Sequence, residues 1–133
     1  MKRIVLFAIT AFALFVARPA AAQEKAKWAE KDAFHEIMSK TFHPAEEGKL
    51  EPIKARSAEM LQKAIAWKQS TAPEGFDKKK VKKDLGTLVK GAKKLDKMVQ
   101  AKATDEDIKK QLTVLHDVFH AITEKCTDEH ENH

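Results

Sequence analysis

Two stretches of this chain carry apolar residues at alternating steps of four and three. Val81, Leu85, Leu88, Ala92, Leu95 and Val99 form one seam; Ile108, Leu112, Leu115, Phe119, Ile122 and Cys126 form the other. That spacing leaves little choice of fold. On a strand it would scatter the apolar side chains over both faces. On an α-helix it lays them along one stripe that a neighbouring helix must cover. Only residues 100–107, with the break AKAT at 101–104, separate the two seams. Two such helices cannot bury their stripes alone, so the chain before them has to supply more.

The upstream sequence does so. Proline and glycine fall in two clumps, HPAEEG at residues 43–48 and TAPEG at residues 71–75. Between the clumps the chain is rich in Ala, Lys, Glu, Leu and Met, all good helix formers, and nowhere alternates with the period of a strand. A first helix is expected over about residues 25–42, with Phe34, Ile37, Met38 and Phe42 on its apolar face. The restriction that Pro44 places on His43 ends it. A second is expected over about 51–69, opened by Pro52 in its first turn and carrying Ile53, Met60, Leu61, Ala64 and Trp67. A third runs over about 77–100, with Asp77 as its N-cap. A fourth runs over about 105–125, with Thr104 as cap and Asp105, Glu106 and Asp107 at the positive end of the helix dipole. Helices of similar length with short connections predict an all-α fold, an antiparallel up-down-up-down four-helix bundle over residues 23–133 with a polar tail. Gly86 and Gly91 stand isolated in the third helix and read as points where a neighbour packs closely. The lysines of residues 77–83, with Lys90, Lys93, Lys94 and Lys97, read as a solvated face.

The N-terminal segment points to export. Lys2 and Arg3 precede thirteen uncharged residues, 4–16, and then ARPAAAQ, with Ala20 and Ala22 spaced for cleavage. This is the three-part pattern of a signal peptide, residues 1–22. The apolar run is shorter than the roughly 20 residues of a membrane-spanning helix; a retained anchor is the alternative. The expected destination is the periplasm, with no stable membrane insertion. Charge follows the same cut. The whole chain has 25 basic and 20 acidic residues, net +5. Lys2, Arg3 and Arg18 leave with the leader and no acid does, so 22 basic residues face 20 acidic ones, net +2. That balance, with no tyrosine and no aromatic-rich basic stripe, argues against nucleic acid as a partner. The single cysteine allows no internal disulfide, although the periplasm would permit one. Packing must hold the domain, aided by any bound cofactor.

LHDVFHAITEKC, residues 115–126, holds the candidate site. His116 and His120 lie four residues apart, stacked on one helical face beside the seam. That spacing lets two imidazoles share one metal. In the first helix, FHEIM sets His35 and Met38 one turn apart beside the apolar face. If the first and fourth helices are antiparallel neighbours, His35 falls near the level of His116 and Met38 a turn towards the start of the fourth helix. Three histidines and a thioether then converge. Imidazole with thioether suits copper, and imidazole with carboxylate suits zinc or iron. Glu36, Glu59 and Asp117 are nearby carboxylates, as ligands or as partners for imidazole N–H groups. The alternatives are that the histidines merely flank the core and that Met38 fills it. His43, Glu46 and Glu47 can form a second ligand set. However, His43 lies about 12 Å along the helix from His35 and reads as a helix-end residue beside the last carbonyls. Cys126 continues the seam and reads as a buried thiol. His130 and His133 belong to a polar tail that can catch a metal or pair across a homodimer. No catalytic triad, phosphate loop or H-E-x-x-H is present, so no enzyme is expected.

The order of elements, the helix lengths and the histidine of DVFH resemble the soluble four-helix-bundle haem proteins, cytochrome c-prime and the periplasmic b-type cytochromes. The resemblance implies haem b, with Met38 and His120 as its axial ligands. Cytochrome c-prime attaches haem through CxxCH in its last helix. Here the stretch reads KCTDEH, with Cys126 and His130 but no second cysteine, so covalent attachment is not implied. FHPAEEG followed by PI, with LHDVFH, also resembles an exported bacterial family to which no function attaches. Three functions fit these residues. The first is an exported metal-binding bundle for sequestration, delivery or one-electron transfer, taking copper first and zinc second, with His35, Met38, His116 and His120 as ligands. The second is a b-type cytochrome. The third is a structural or chaperone-like bundle without a cofactor.

Overall fold

A computed structural model describes residues 27–131, with side chains through residue 126. The fold is a four-helix bundle: α1 Ala29–Glu46, α2 Glu51–Gln69, α3 Lys78–Gln100 and α4 Asp105–Glu131. No strand occurs among the described residues, and no helix among them is long and apolar enough to cross a membrane. The expected leader, residues 1–22, and the side chains of His130 and His133 lie outside the described residues.

Consecutive helices pack on one another, and α4 closes the ring against α1. Residue pairs across each interface rise in number on one helix as they fall on the other. Trp28 meets Ser70 and Phe34 meets Trp67 between α1 and α2. Ser70 also accepts from Lys78 at the end where α2 turns into α3, while Ser57 meets Asp96 further along. Asp84 pairs with Lys125 and Gly91 with Gln111 between α3 and α4. Phe34 packs on Phe119 and Phe42 on His116 between α1 and α4.

The seams go where their spacing sends them. From Val81 to Leu95 and from Ile108 to Cys126 every seam residue is buried, and Val99 and Leu61 pack partly buried against the same core. Each fully buried Leu, Ile or Phe contributes about 1.5–3 kcal/mol relative to an exposed one. At one end of the bundle four aromatic rings meet. Trp28–Trp67 centroids lie 6.1 Å apart, Phe34–Trp67 5.7 Å, Phe34–Phe119 5.7 Å and Trp67–Phe119 5.9 Å, all within the favourable range for aromatic pairs. Among the described residues the Trp67 indole N–H finds no hydrogen-bond acceptor.

Both ends of the first helix differ from expectation. It begins at Ala29 rather than near residue 25, because Trp28 leaves the helical conformation (φ −91°, ψ 98°). Trp28 is instead buried in the core, and its Nε1–H donates to Ser70 Oγ at 2.7 Å. At the other end the helix runs through Pro44 to Glu46. Pro44 forfeits one backbone donor, but Ala45, in the added turn, is 1% exposed and anchors that turn to the core. The real stop is Gly48, at φ +84°, a left-handed conformation that glycine adopts without steric penalty. Its N–H donates to the Ala45 carbonyl at 3.0 Å, and the Lys49 N–H donates to the Pro44 carbonyl at 2.9 Å. This pair of bonds closes the helix in a Schellman motif.

The expected caps are present. The Asp77 carboxylate accepts from the Lys79 N–H at 2.9 Å, and Thr104 Oγ1 accepts from the Asp107 N–H at 3.2 Å. The two mid-helix glycines part company. A Cβ on Gly91 would lie 2.7 Å from Leu115 Cδ2, so α4 does pack closely there. A Cβ on Gly86 would meet nothing within 4 Å, so close packing does not explain Gly86.

Candidate metal centre

Between α1 and α4 lies a pocket of about 190 Å³. His35, Met38, His116 and His120 all line it, together with Ser39, Phe42, His43 and Phe119. The four residues singled out as ligands from the sequence therefore share one cavity. Met38 is 1% exposed, so its side chain is buried beneath this pocket.

Two reciprocal stacks build the walls. Phe42 of α1 lies flat against the His116 ring of α4, with centroids 3.8 Å apart and planes within 9°. Phe119 of α4 faces His35 of α1 at 5.2 Å and 18°. Each helix thus supplies an apolar ring that supports the other's imidazole, and both rings grow out of the core stripes. His116 and His120 then meet with Nε2 to Nε2 at 3.1 Å and ring planes 72° apart. One proton at most lies between those nitrogens, so one ring donates to the other. The same separation admits a shared ion once that proton has moved to Nδ1, because each ligating Nε2 must be bare. Two nitrogens at about 2.0–2.1 Å from one tetrahedral metal lie about 3.3 Å apart.

The electrostatics favour a neutral ligand. The pKa of His116 is lowered from its ordinary value, first by burial and then by the neighbouring charge of His120; His43 acts in the same sense, and Asp117 and Glu46 oppose it. A neutral imidazole is the form that binds metal. Asp117 Oδ1 stands 3.9 Å from His116 Nδ1, beyond hydrogen-bond reach. Glu36 and Glu59, expected nearby as carboxylate partners, do not line the pocket. Glu36 pairs with Lys40, and Glu59 takes Arg56 in a two-pronged contact at 2.8 and 2.9 Å. These cations hold both carboxyls below their ordinary pKa.

His43 is the residue that the sequence left out of the ligand set. Because α1 continues through Pro44, His43 stays on the pocket side of the helix, eight residues beyond His35, where the helical stripe returns. Its Nδ1 lies 3.6 Å from Glu46 Oε2. A stripe drawn through 35, 38, 39, 42 and 43 would have found it. Among the described residues no three His, Cys, Asp or Glu side chains already converge on one point. His116 and His120 form a preset pair, with His35 and His43 on the walls around it.

Comparisons with protein families, curated proteins and solved structures returned no match, so the site stands on its own geometry.

Proposed function

We propose that this chain is an exported, non-enzymatic metal-binding protein built as an antiparallel up-down-up-down bundle. It holds one transition metal ion between α1 and α4, for sequestration or delivery in the periplasm. His116 and His120 are the paired ligands and Met38 the soft ligand. A side-chain rotation of His35 or His43 completes the set. The observation that carries the proposal is the 3.1 Å approach of two imidazole nitrogens inside a pocket also lined by a buried methionine and two further histidines. A thioether beside imidazoles favours copper over zinc, and the absence of a carboxylate from the lining argues against magnesium and calcium.

Haem is the second reading, supported by Met38 and His120 lining the same cavity. The cavity's size counts against it. At about 190 Å³ it is smaller than the 300–1,000 Å³ typical of sites for drug-sized ligands. The test is elemental analysis of the purified mature protein, with its visible spectrum and a competition titration against a Cu(I) chelator. Stoichiometric copper that is lost in His116→Ala/His120→Ala supports the proposal. A Soret band would replace it with the haem reading. No tight binding of either metal by the intact protein would refute it.

A further inference from the structure

On the far side of the bundle a second concavity, about 640 Å³, opens between α2 and α3. Lys68 from the last turn of α2 and Lys79, Lys82, Lys83 and Lys90 of α3 ring it, and Gly86 leaves its floor bare. All five lysines are exposed and no acid lines the groove. Among the described residues none of the five has a carboxylate within ion-pair distance. The nearby Asp84 is turned away to pair with Lys125 of α4. We propose that this groove binds a multiply charged phosphate compound.

Three local costs meet at this spot, and the fold of the bundle requires none of them. Lys79 lies three and four residues before Lys82 and Lys83, spacings at which like charges repel on a helix. Beyond the Asp77 cap the first turn of α3 holds lysines and no acid, so cations crowd the positive end of the dipole; α4, by contrast, opens on Asp105, Glu106 and Asp107. Gly86 weakens the middle of α3, although a Cβ there would meet nothing within 4 Å. Conflicts between local preference and fold gather at functional sites. Bound anionic charge would relieve the first two, and the missing side chain is what keeps the groove open. The volume falls within the usual range of small-molecule sites. Phosphate is the class because every rim cation is lysine, a compact point charge that serves phosphate well. The arginine fork serves carboxylate and phosphate alike, and Arg56, which does not line the groove, is already engaged by Glu59; the comparison with citrate separates the two anions.

The several phosphate charges can belong to one soluble compound or to an array of singly charged lipid headgroups, and the experiment separates these. The mature chain is titrated calorimetrically with inorganic tripolyphosphate and with citrate at low ionic strength, and sedimented with vesicles of phosphatidylglycerol or phosphatidylcholine. Tripolyphosphate binding that weakens with salt identifies a soluble ligand. Phosphatidylglycerol binding without tripolyphosphate binding identifies the lipid source. In either case Lys82→Gln/Lys83→Gln should weaken binding by about tenfold or more. Lys109→Gln/Lys110→Gln, the same charge change on α4, should leave it within about twofold. Gly86→Leu, which fills the groove and favours the helix, should melt higher yet bind at least about tenfold more weakly, which rules out misfolding as the cause. The proposal is overturned if neither phosphate source binds, if citrate binds as well as tripolyphosphate, if the α4 variant loses as much as the groove variant, or if Gly86→Leu binds normally.

Discussion

One substitution, made at two places in α3, should act with opposite signs. Glycine in a helix interior is less stable than alanine by about 0.8–1.0 kcal/mol. At Gly86 nothing lies within 4 Å of the new methyl, so Gly86→Ala should gain that amount in full. At Gly91 the same methyl would sit 2.7 Å from Leu115 Cδ2 and 3.5 Å from Gln111 Nε2. Leu115 is 0% exposed and cannot swing into solvent, and Gln111 is tied to the Gly91 carbonyl at 3.1 Å. Inserting a methyl into such a contact costs about 1–3 kcal/mol. Set against the propensity gain, Gly91→Ala should be destabilising by about 0–2 kcal/mol. The difference between the two variants isolates the packing cost, because propensity cancels. In a domain of this size 1 kcal/mol moves Tm by about 4–8 °C. Thermal melts followed by circular dichroism, at one pH and without metal, therefore suffice. Equal stabilisation by both variants would show that α3 and α4 are not in close contact at Gly91, and the packing of the α3–α4 interface described above would be wrong.

Three further outcomes are expected. His120→Ala should abolish metal binding and lower Tm of the metal-loaded protein only, since a ligand of the folded state stabilises by mass action; an equal drop in the metal-free protein would make His120 a packing residue. Stability of the metal-free protein should fall as pH drops below about 6.5. The folded state holds the His116 pKa down, through burial and His120, while the unfolded chain takes up the proton at the ordinary value. Unfolding then binds more protons, and ΔG of unfolding rises with pH across the window between the lowered and ordinary values; His116→Gln should flatten that slope, and an unchanged slope would refute the cause. Trp28→Phe removes the donor to Ser70 Oγ and part of a buried ring, and should cost about 1–3 kcal/mol in a denaturant melt; a neutral result would mean that the segment before α1 is not docked.

The sequence reveals the fold most clearly where a long-range repeat speaks, and least where a local rule does. The α3 and α4 seams could be read residue by residue because a heptad pattern needs only the spacing of apolar side chains, and many residues vote. Helix ends depend on one or two residues and on what the rest of the fold offers them. Trp28 looked like part of a helix, but the core had room for its ring and Ser70 an acceptor for its N–H. Pro44 reads as a stop, yet Ala45 is buried in the added turn and the helix ends only where Gly48 takes a left-handed conformation. The glycines show the same limit: one isolated glycine resembles another in sequence, and only the neighbouring helix distinguishes Gly91 from Gly86.

The candidate site divides along the same line. His35, Met38, His116 and His120 share a pocket because each sits beside a core stripe at helical spacing, and stripes are what the sequence displays. In the sequence His43 stands apart, as part of a second set, because it lies about 12 Å along the helix from His35 and reads as a helix-end residue. Once α1 is allowed to continue, His43 follows from the same geometry as the others. What no pattern could supply is the stacking of Phe42 on His116 and of Phe119 on His35. Those rings are core residues by their spacing, yet they also hold the imidazoles. Phe42 covers one face of His116, adding to the burial that lowers its pKa, while Nε2 lies 3.1 Å from Nε2 of His120. A preset nitrogen pair lowers the entropy that a metal must overcome on binding. The core of this bundle and its proposed ligand set are therefore coupled. A change at Phe42 that keeps its bulk but not its flat face, such as Phe42→Leu, should weaken metal affinity more than it weakens the fold. Competition titrations and melts on that one variant separate the two effects, and a variant that loses stability while keeping full affinity would show that the stack serves packing alone.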